Sequence, residues 1–115
     1  MLESENGLLR GTLDVLILKA VSWGPRHGYA IAEWIKAVTD EEVLVEEGPL
    51  YTALHRLERN GWLTAEWGYS DNNRRAKYYQ LSRAGRAQLR AEMSSWERYA
   101  RAVGKALAAV SPLTA

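Results

Sequence analysis

The segment from Gly48 to Gly61 constrains the fold most, because its two ends and its two sides can be interpreted separately. Pro49 suits the first position of a helix, where a missing N–H loses no hydrogen bond, and Gly61 suits the residue just past a helix end. Helical periodicity separates an apolar side from a polar side. The apolar side consists of Leu50, Ala53, Leu54 and Leu57, and the polar side consists of Thr52, His55, Arg56 and Arg59, with Tyr51 at the edge. The segment therefore predicts an amphipathic helix with one packing side and one side rich in hydrogen-bond donors.

The residues after Gly61 predict a β-hairpin. Aromatic and β-branched residues in 62–69 and 74–81 flank the polar tip Ser70-Asp71-Asn72-Asn73. The returning strand contains Arg74, Arg75 and Lys77. A helix followed at once by a hairpin with a basic returning strand is typical of the winged helix-turn-helix, whose helix enters the major groove while the wing contacts the DNA backbone. Double-stranded DNA is the expected partner.

The charge distribution along the chain is consistent with that partner. The net charge is only +1, yet residues 1–48 contain 4 Lys/Arg and 9 Asp/Glu, whereas residues 49–115 contain 11 and 5. The basic part begins at the predicted helix. Such asymmetry indicates a polyanionic partner, although charged runs are also common on plain solvated surfaces.

Several classes of protein are disfavoured by residues that the sequence lacks. With no cysteine and two isolated histidines, we expect no disulfide, no metal site and no cofactor. No Ser/His/Asp set, phosphate loop or paired carboxylates with a suitable spacing can be assembled, so we do not expect an enzyme. The first residues lack the pattern of a secretory signal, and no charge-free apolar run approaches 18 residues. We expect a cytoplasmic protein, nucleoid-associated when bound to DNA, with no membrane partner.

The chain before the predicted helix contributes two further helices. Residues 1–11 are expected to form a mobile arm. A helix from Thr12 to about Trp23 is apolar nearly all the way round, which in a small domain suggests that one side meets the core and another meets a second subunit. The residues of this helix assigned to a dimer interface are Leu13, Leu16 and Ile17. After the break at Gly24-Pro25, the spacing of apolar residues predicts a second helix over about 29–38.

Two short segments remain between these helices. His27, in the turn before the second helix, is interpreted as a surface or helix-cap residue. Val43-Leu44-Val45 is either a short strand that completes the sheet of the wing or a loop anchored in the core.

The C-terminal segment predicts one long helix over 82–110, capped by Ser82. Its apolar residues alternate at spacings of 4 and 3, which is a heptad seam. The seam consists of Leu89, Met93, Trp96, Ala100, Val103, Leu107 and Val110. A helix of about 40 Å is longer than a domain of this size, so all of these except Ala100 are assigned to a dimer interface. The predicted organisation is a DNA-binding domain at 1–81, a dimerisation helix at 82–110 and a disordered tail at 111–115.

These motifs, in this order, resemble the PadR family of bacterial transcriptional regulators, in its short-tailed form with one C-terminal helix. The resemblance rests on Leu9-Arg10-Gly11-Thr12, His27-Gly28-Tyr29, Gly48-Pro49-Leu50-Tyr51 and Arg74-Arg75-Ala76-Lys77-Tyr78-Tyr79. It implies a mainly α fold with a small β wing, and a homodimeric repressor that binds a palindromic operator through the third helix and the wing.

The segment Met93-Ser94-Ser95-Trp96-Glu97-Arg98 is also similar to part of a multidrug-responsive member of the family. That similarity implies that Trp96 stacks on a small planar aromatic ligand between subunits, with Leu8 and Val15 in the wall of the site. Ala100 departs from the pattern, since that member has an acidic residue there. Packing of Trp96 within the dimer seam is the alternative.

The predicted DNA contacts fall into two groups. Those expected on phosphates are Tyr51, Arg74, Arg75 and Lys77, and those expected near base edges or adjoining phosphates are Thr52, His55, Arg56 and Arg59. The alternative function is a winged-helix module for protein–protein contact, which would not need these residues on one surface.

Overall fold

A small antiparallel sheet stands at one edge of a group of helices. The computed structural model describes the backbone of residues 2–112 and the side chains of residues 11–112. The helices are α1 (Leu2–Ala20), α2 (Gly28–Val38), α3 (Glu47–Arg59) and α4 (Arg83–Ala108), and the strands are β1 (Arg26–His27), β2 (Leu63–Tyr69) and β3 (Arg75–Leu81). The strands are ordered β1-β3-β2, and both pairs are antiparallel. This is the predicted mainly α winged helix with one long C-terminal helix.

The core lies where α1, α2, α3 and the sheet meet. The predicted apolar side of α3 is buried, with Leu54 and Leu57 fully inaccessible to solvent. Ile17 and Leu18 of α1 and Ile35 of α2 pack into the same cluster. The helical periodicity of the sequence thus identified the inward side of α3 correctly.

Helix α1 corrects the prediction of a mobile arm, because it begins at Leu2 and not at Thr12. No proline interrupts this stretch, and Gly11 has open space around its α-carbon. A single glycine inside a helix costs about 1 kcal/mol relative to alanine, which lowers helix stability without ending the helix. The helix also ends earlier than predicted, at Ala20, and a turn follows it.

The third strand of the sheet comes from a different segment than the one considered. Arg26 pairs with Tyr79 and His27 with Tyr78, so β1 lies just before α2. Residues 43–45 form a loop, and Val43 and Val45 pack against the core. Of the two interpretations of this segment, the anchored loop is confirmed.

Helix α4 begins against the wing and then leaves the domain. The Ser82 side chain caps it, as predicted, by accepting a hydrogen bond from the Gly85 N–H at 2.9 Å. The N-terminal part packs on the core through Leu89. From Ser94 to Pro112 every residue is exposed. The second half of α4 therefore extends beyond the core and has no buried side chain.

The helix ends at Ala108, so Val110 is not part of the predicted heptad seam. Ala109 adopts an extended backbone conformation, and Val110 beyond it is 99% exposed. Proline disfavours the helical conformation of the residue before it, which here is Ser111. Helix α4 therefore has to end before Ser111. The last residues, 113–115, lie outside the described part of the chain.

Two residues assigned to a dimer interface lie inside the subunit. Ile17 is fully buried and Leu89 is 7% exposed, and both belong to the core of their own subunit. Neither side chain can therefore contribute much surface to a partner. Leu13, Leu16 and Met93 are half-buried at the edge of the same core, whereas Trp96, Val103 and Leu107 are exposed.

Candidate nucleic-acid interface

Helix α3 presents its polar side away from the core. Thr52, His55 and Arg59 are exposed, and Tyr51 is 39% exposed at the edge. Gly61, just past the helix, has φ +80°, which is the left-handed conformation predicted from its position. Pro49 is the third residue of the helix and not the first, which is acceptable because the N–H groups of the first turn have no partner within the helix.

The hairpin of β2 and β3 forms the predicted wing. Its tip is closed by two backbone hydrogen bonds, from the Ser70 N–H to the Arg74 carbonyl and from the Asn73 N–H to the Ser70 carbonyl, each 2.8 Å long. Asn73 takes a positive φ of 58°, which asparagine tolerates better than most residues. The Ser70–Asn73 tip predicted from composition is confirmed.

Helices α2 and α3, strand β1 and the wing enclose a cleft of about 1030 Å³. Five of the residues predicted to contact DNA line it, namely Tyr51, His55, Arg74, Arg75 and Lys77. Thr52 and Arg59 lie on the exposed side of α3 outside the cleft. Two acidic residues, Glu33 and Asp71, also line it. The fold thus brings hydrogen-bonding side chains of the third helix and cations of the wing to a single concavity.

Arg56 does not join this group, because its side chain points the other way. Its Nη1 and Nη2 atoms donate to the two carboxylate oxygens of Asp14 on α1, at 3.0 and 2.8 Å. The Asp14 and Arg56 side chains are only 10% and 21% exposed. A bidentate pair of this kind occupies the guanidinium, so the expected role of Arg56 at the base edges is replaced by a contact that joins α3 to α1.

Lys77 is only partly available to a ligand. Its Nζ lies 3.0 Å from a carboxylate oxygen of Glu58 on α3, and 5.5 Å from the centre of the Tyr79 ring. The hydrogen bond with Glu58 raises the pKa of Lys77, and burial raises the pKa of the Tyr79 phenol. The ammonium group therefore remains charged while it ties the wing to α3. A phosphate would have to share it with Glu58.

The start of helix α2 has a capping contact of its own and one close approach to α3. His27 is its N-cap, and the His27 Nδ1 accepts a hydrogen bond from the Ala30 N–H at 3.2 Å, which confirms the predicted cap. A β-carbon at Gly28 would lie 2.8 Å from the hydroxyl oxygen of Tyr51. The absence of a side chain at residue 28 thus lets the Tyr51 ring lie against the start of α2, at the floor of the cleft.

The lining of the cleft also includes Arg26, Tyr29 and Trp67, which were not identified from the sequence. Tyr29 is 70% exposed and Trp67 is 60% exposed. The alternation of β2 could have revealed Trp67. Side chains two residues apart point to the same side of a strand, so Trp67 shares a side with Leu63, and Leu63 is buried. Arg26 could not have been found in this way, since β1 has only two residues and no periodicity.

A second, smaller cavity of about 280 Å³ lies between α1 and α4. It is lined by Gly11, Thr12, Val15, Glu92, Ser95, Trp96 and Tyr99. Two of the three residues predicted to bind a ligand, Val15 and Trp96, meet here, while the side chain of Leu8 lies outside the described residues. The Glu92 Oε2 atom is buried without a hydrogen-bond partner among the described residues, and burial raises the pKa of this carboxyl, with nearby Asp14 adding to the effect.

The described part of the chain has neither a metal-binding cluster nor a membrane-spanning helix. The side chains of residues 11–112 include no cluster of three or more histidine, aspartate or glutamate residues that could hold a metal ion. No helix within residues 2–112 combines the length and the apolar character needed to cross a bilayer.

Comparison with known proteins agrees with this geometry. The chain is 30% identical over 89 residues to an uncharacterised protein of Lysinibacillus sphaericus, covering 77% of this chain and 82% of that one. A transcriptional regulator from Clostridium thermocellum superposes with a TM-score of 0.77 at 30% identity, covering 86% of this chain and 96% of the regulator. A PadR family transcriptional regulator from Eggerthella lenta superposes with a TM-score of 0.71 at 32% identity, covering 93% and 92%. Residues 17–91 match the model of the PadR-like family of transcriptional regulators, and the chain belongs to that family.

Proposed function

We propose that this protein is a homodimeric, DNA-binding repressor that acts in the cytoplasm on nucleoid DNA. Members of its family are transcriptional regulators and not enzymes. The observation that supports DNA binding best is the cleft in which Tyr51 and His55 of α3 face Arg74, Arg75 and Lys77 of the wing. A module used only for protein–protein contact would have no need to collect these donors in one place.

The two elements have different roles in the proposed complex. The wing arginines bind phosphates and contribute affinity that depends on salt but not on sequence. Thr52 and His55, with Arg59 further along α3, are exposed and approach base edges, where a bidentate side-chain contact discriminates by about 1–3 kcal/mol. Arg56 is left out of this set because Asp14 occupies its guanidinium.

The overhang of α4 supports the proposed dimer. Trp96 is 44% exposed, Val103 is 38% exposed and Leu107 is 83% exposed, all on the same seam of a helix whose residues from Ser94 onward are exposed. Pairing this seam with a second copy buries it. A two-fold dimer then places two copies of α3 about one helical turn, or roughly 10 base pairs, apart on a palindromic operator.

The test of DNA binding is the salt dependence of affinity for labelled duplexes, both random and selected from a random pool. Each phosphate contact contributes about 0.9 to the slope of log affinity against log salt, so replacing Arg74 and Arg75 by alanine should reduce the slope by about 2 and weaken binding to both duplexes alike. The matched control replaces Arg98 and Arg101, which are exposed on α4 at positions outside the seam. An unchanged slope in the wing variant would remove these arginines from the interface.

The cavity between α1 and α4 supports release of DNA by a small planar aromatic ligand. Trp96 and Tyr99 supply aromatic surface there, with ring centres 6.4 Å apart, and Glu92 supplies a carboxylate without a partner on one oxygen. A ligand in this place contacts the same helix that supports the proposed dimer, so it can change the angle between the two DNA-binding domains.

Titration of the planar cation proflavine in the absence of DNA tests this part of the proposal. The dye should show saturable binding that is lost in Trp96→Ala. The control is Trp23→Ala, which removes an exposed tryptophan outside the cavity. Equal binding by both variants would leave Trp96 as a packing residue of the seam.

A further inference from the structure

One side of the β2–β3 hairpin is buried near the core and becomes exposed toward the tip of the wing. Along β2, Leu63 is buried and Trp67 and Tyr69, on the same side, are 60% and 70% exposed. Along β3, the same alternation places Arg75 and Lys77 beyond the buried Tyr79. This side of the wing therefore has two exposed aromatic rings and two cations, of which Trp67, Arg75 and Lys77 line the cleft.

The two cations on this side have different partners. The Lys77 Nζ is hydrogen-bonded to a carboxylate oxygen of Glu58 at 3.0 Å. The Cζ atom of Arg75 lies over the Trp67 ring, 4.5 Å from the ring centre. The guanidinium N–H groups of Arg75 have no acceptor among the described residues. A guanidinium over an aromatic ring is attracted to the ring face by its charge, so its N–H donors remain available for hydrogen bonds. Trp67 thus positions Arg75 without occupying its hydrogen-bond donors.

The strand that presents Trp67 is itself well anchored. The Tyr78 hydroxyl donates to the Tyr69 carbonyl at 2.9 Å, and the Tyr78 ring lies 3.3 Å from where a β-carbon at Gly68 would be. In the ladder Trp67 is directly opposite Lys77, which makes Arg75 its diagonal neighbour on the same side. The ring therefore has a fixed base from which to hold the guanidinium.

We propose that Trp67 is a positioning residue for DNA binding, and that it holds Arg75 ready for a bidentate contact with a backbone phosphate. A free arginine loses rotamer freedom when it binds, and a guanidinium already held over a ring loses less. Arg75 then contributes more to affinity than Lys77 does. This inference rests on the proposed DNA-binding function and deepens it.

A double-mutant cycle on a labelled random-sequence duplex tests the inference. Trp67→Leu keeps an apolar side chain but removes the aromatic ring, whereas Trp67→Tyr keeps a ring. We expect Trp67→Leu to lower affinity about two- to fivefold and Trp67→Tyr to retain most of it. In an Arg75→Ala background Trp67→Leu should have no further effect. The salt slope should stay unchanged in Trp67→Leu, because no charge is lost, and should fall in Arg75→Ala.

Trp23→Leu is the matched control, since Trp23 is 65% exposed, lies outside the cleft and has Lys19, not Arg75, over its ring. It should show no coupling to Arg75→Ala. The inference is overturned if Trp67→Leu costs the same affinity with and without Arg75, or if leucine and tyrosine at residue 67 behave alike. Failure of the unmodified protein to bind any duplex at low salt would remove the proposed function as well, whereas binding with an additive cycle would remove this inference alone.

Discussion

The ion pair between Asp14 and Arg56 leads to the sharpest prediction about stability. Both N–H···O contacts are short, at 3.0 and 2.8 Å, and the two side chains are 10% and 21% exposed. The pair joins α1 to α3 across 42 positions of the chain. Replacing Arg56 by alanine therefore removes the guanidinium from a carboxylate that stays largely buried.

The expected cost follows from burial. Removing one partner of a fully buried pair destabilises by about 3–5 kcal/mol. Here a fifth of the Arg56 side chain still reaches water and Asp14 keeps at least one further contact, so we expect about 2–4 kcal/mol. Against a total stability of about 5–15 kcal/mol for a small domain, this is a large loss.

Chemical denaturation at fixed protein concentration measures this loss, since association contributes to the stability of a dimer. Arg59→Ala is the control, because Arg59 is exposed on the same helix and should cost less than about 1 kcal/mol. The double variant Arg56→Ala, Asp14→Ala should lose less than the sum of the single variants. A loss in Arg56→Ala no larger than in Arg59→Ala would refute the assignment of Arg56 to an internal pair.

Three other substitutions test separate parts of the structure. Gly85→Ala should lower the unfolding free energy by about 1–3 kcal/mol, because the new β-carbon would overlap the carbonyl oxygen of Trp62. Gly104→Ala, where the space is open, should raise the unfolding free energy by up to about 1 kcal/mol. Equal denaturation midpoints for the two variants would contradict the close approach at Gly85. Leu107→Glu should shift the protein toward monomer in sedimentation velocity, because Leu107 is exposed on the projecting seam, and an unaltered dimer would move the interface elsewhere. Burial raises the pKa of Glu92, so ionisation of this carboxyl opposes folding. The stability of Glu92→Gln relative to the unmodified protein should therefore increase as pH rises from about 4.3 through the raised pKa, and should be constant at lower pH. A difference in stability that does not depend on pH would contradict this.

Local sequence signals accounted for much of the fold. The apolar side of α3, the left-handed Gly61, the turn from Ser70 to Asn73 and the caps His27 and Ser82 all follow from neighbouring residues. Each of these features depends on backbone geometry or on helical periodicity over a few residues, and these are properties that the order of residues specifies directly.

The start of α1 and the origin of the third strand were harder to predict. A helix through Gly11 and a strand of only Arg26 and His27 have weak local signals. Pairing with β3 defines the short strand, and that partner lies some fifty positions further along the chain. Strand pairing of this kind is set by contacts that the periodicity of the short segment does not reveal.

The sequence alone determined that α3 has an apolar and a polar side, that a basic hairpin follows it, and that the last helix has a continuous apolar seam. Tertiary packing determined where those side chains point: Arg56 toward Asp14, Lys77 toward Glu58, Arg75 over Trp67, and Leu89 into the subunit's own core. The physical reason is that periodicity specifies a direction relative to one helix or strand. The partner found in that direction is supplied by another element, and only the packing of the whole chain brings it there.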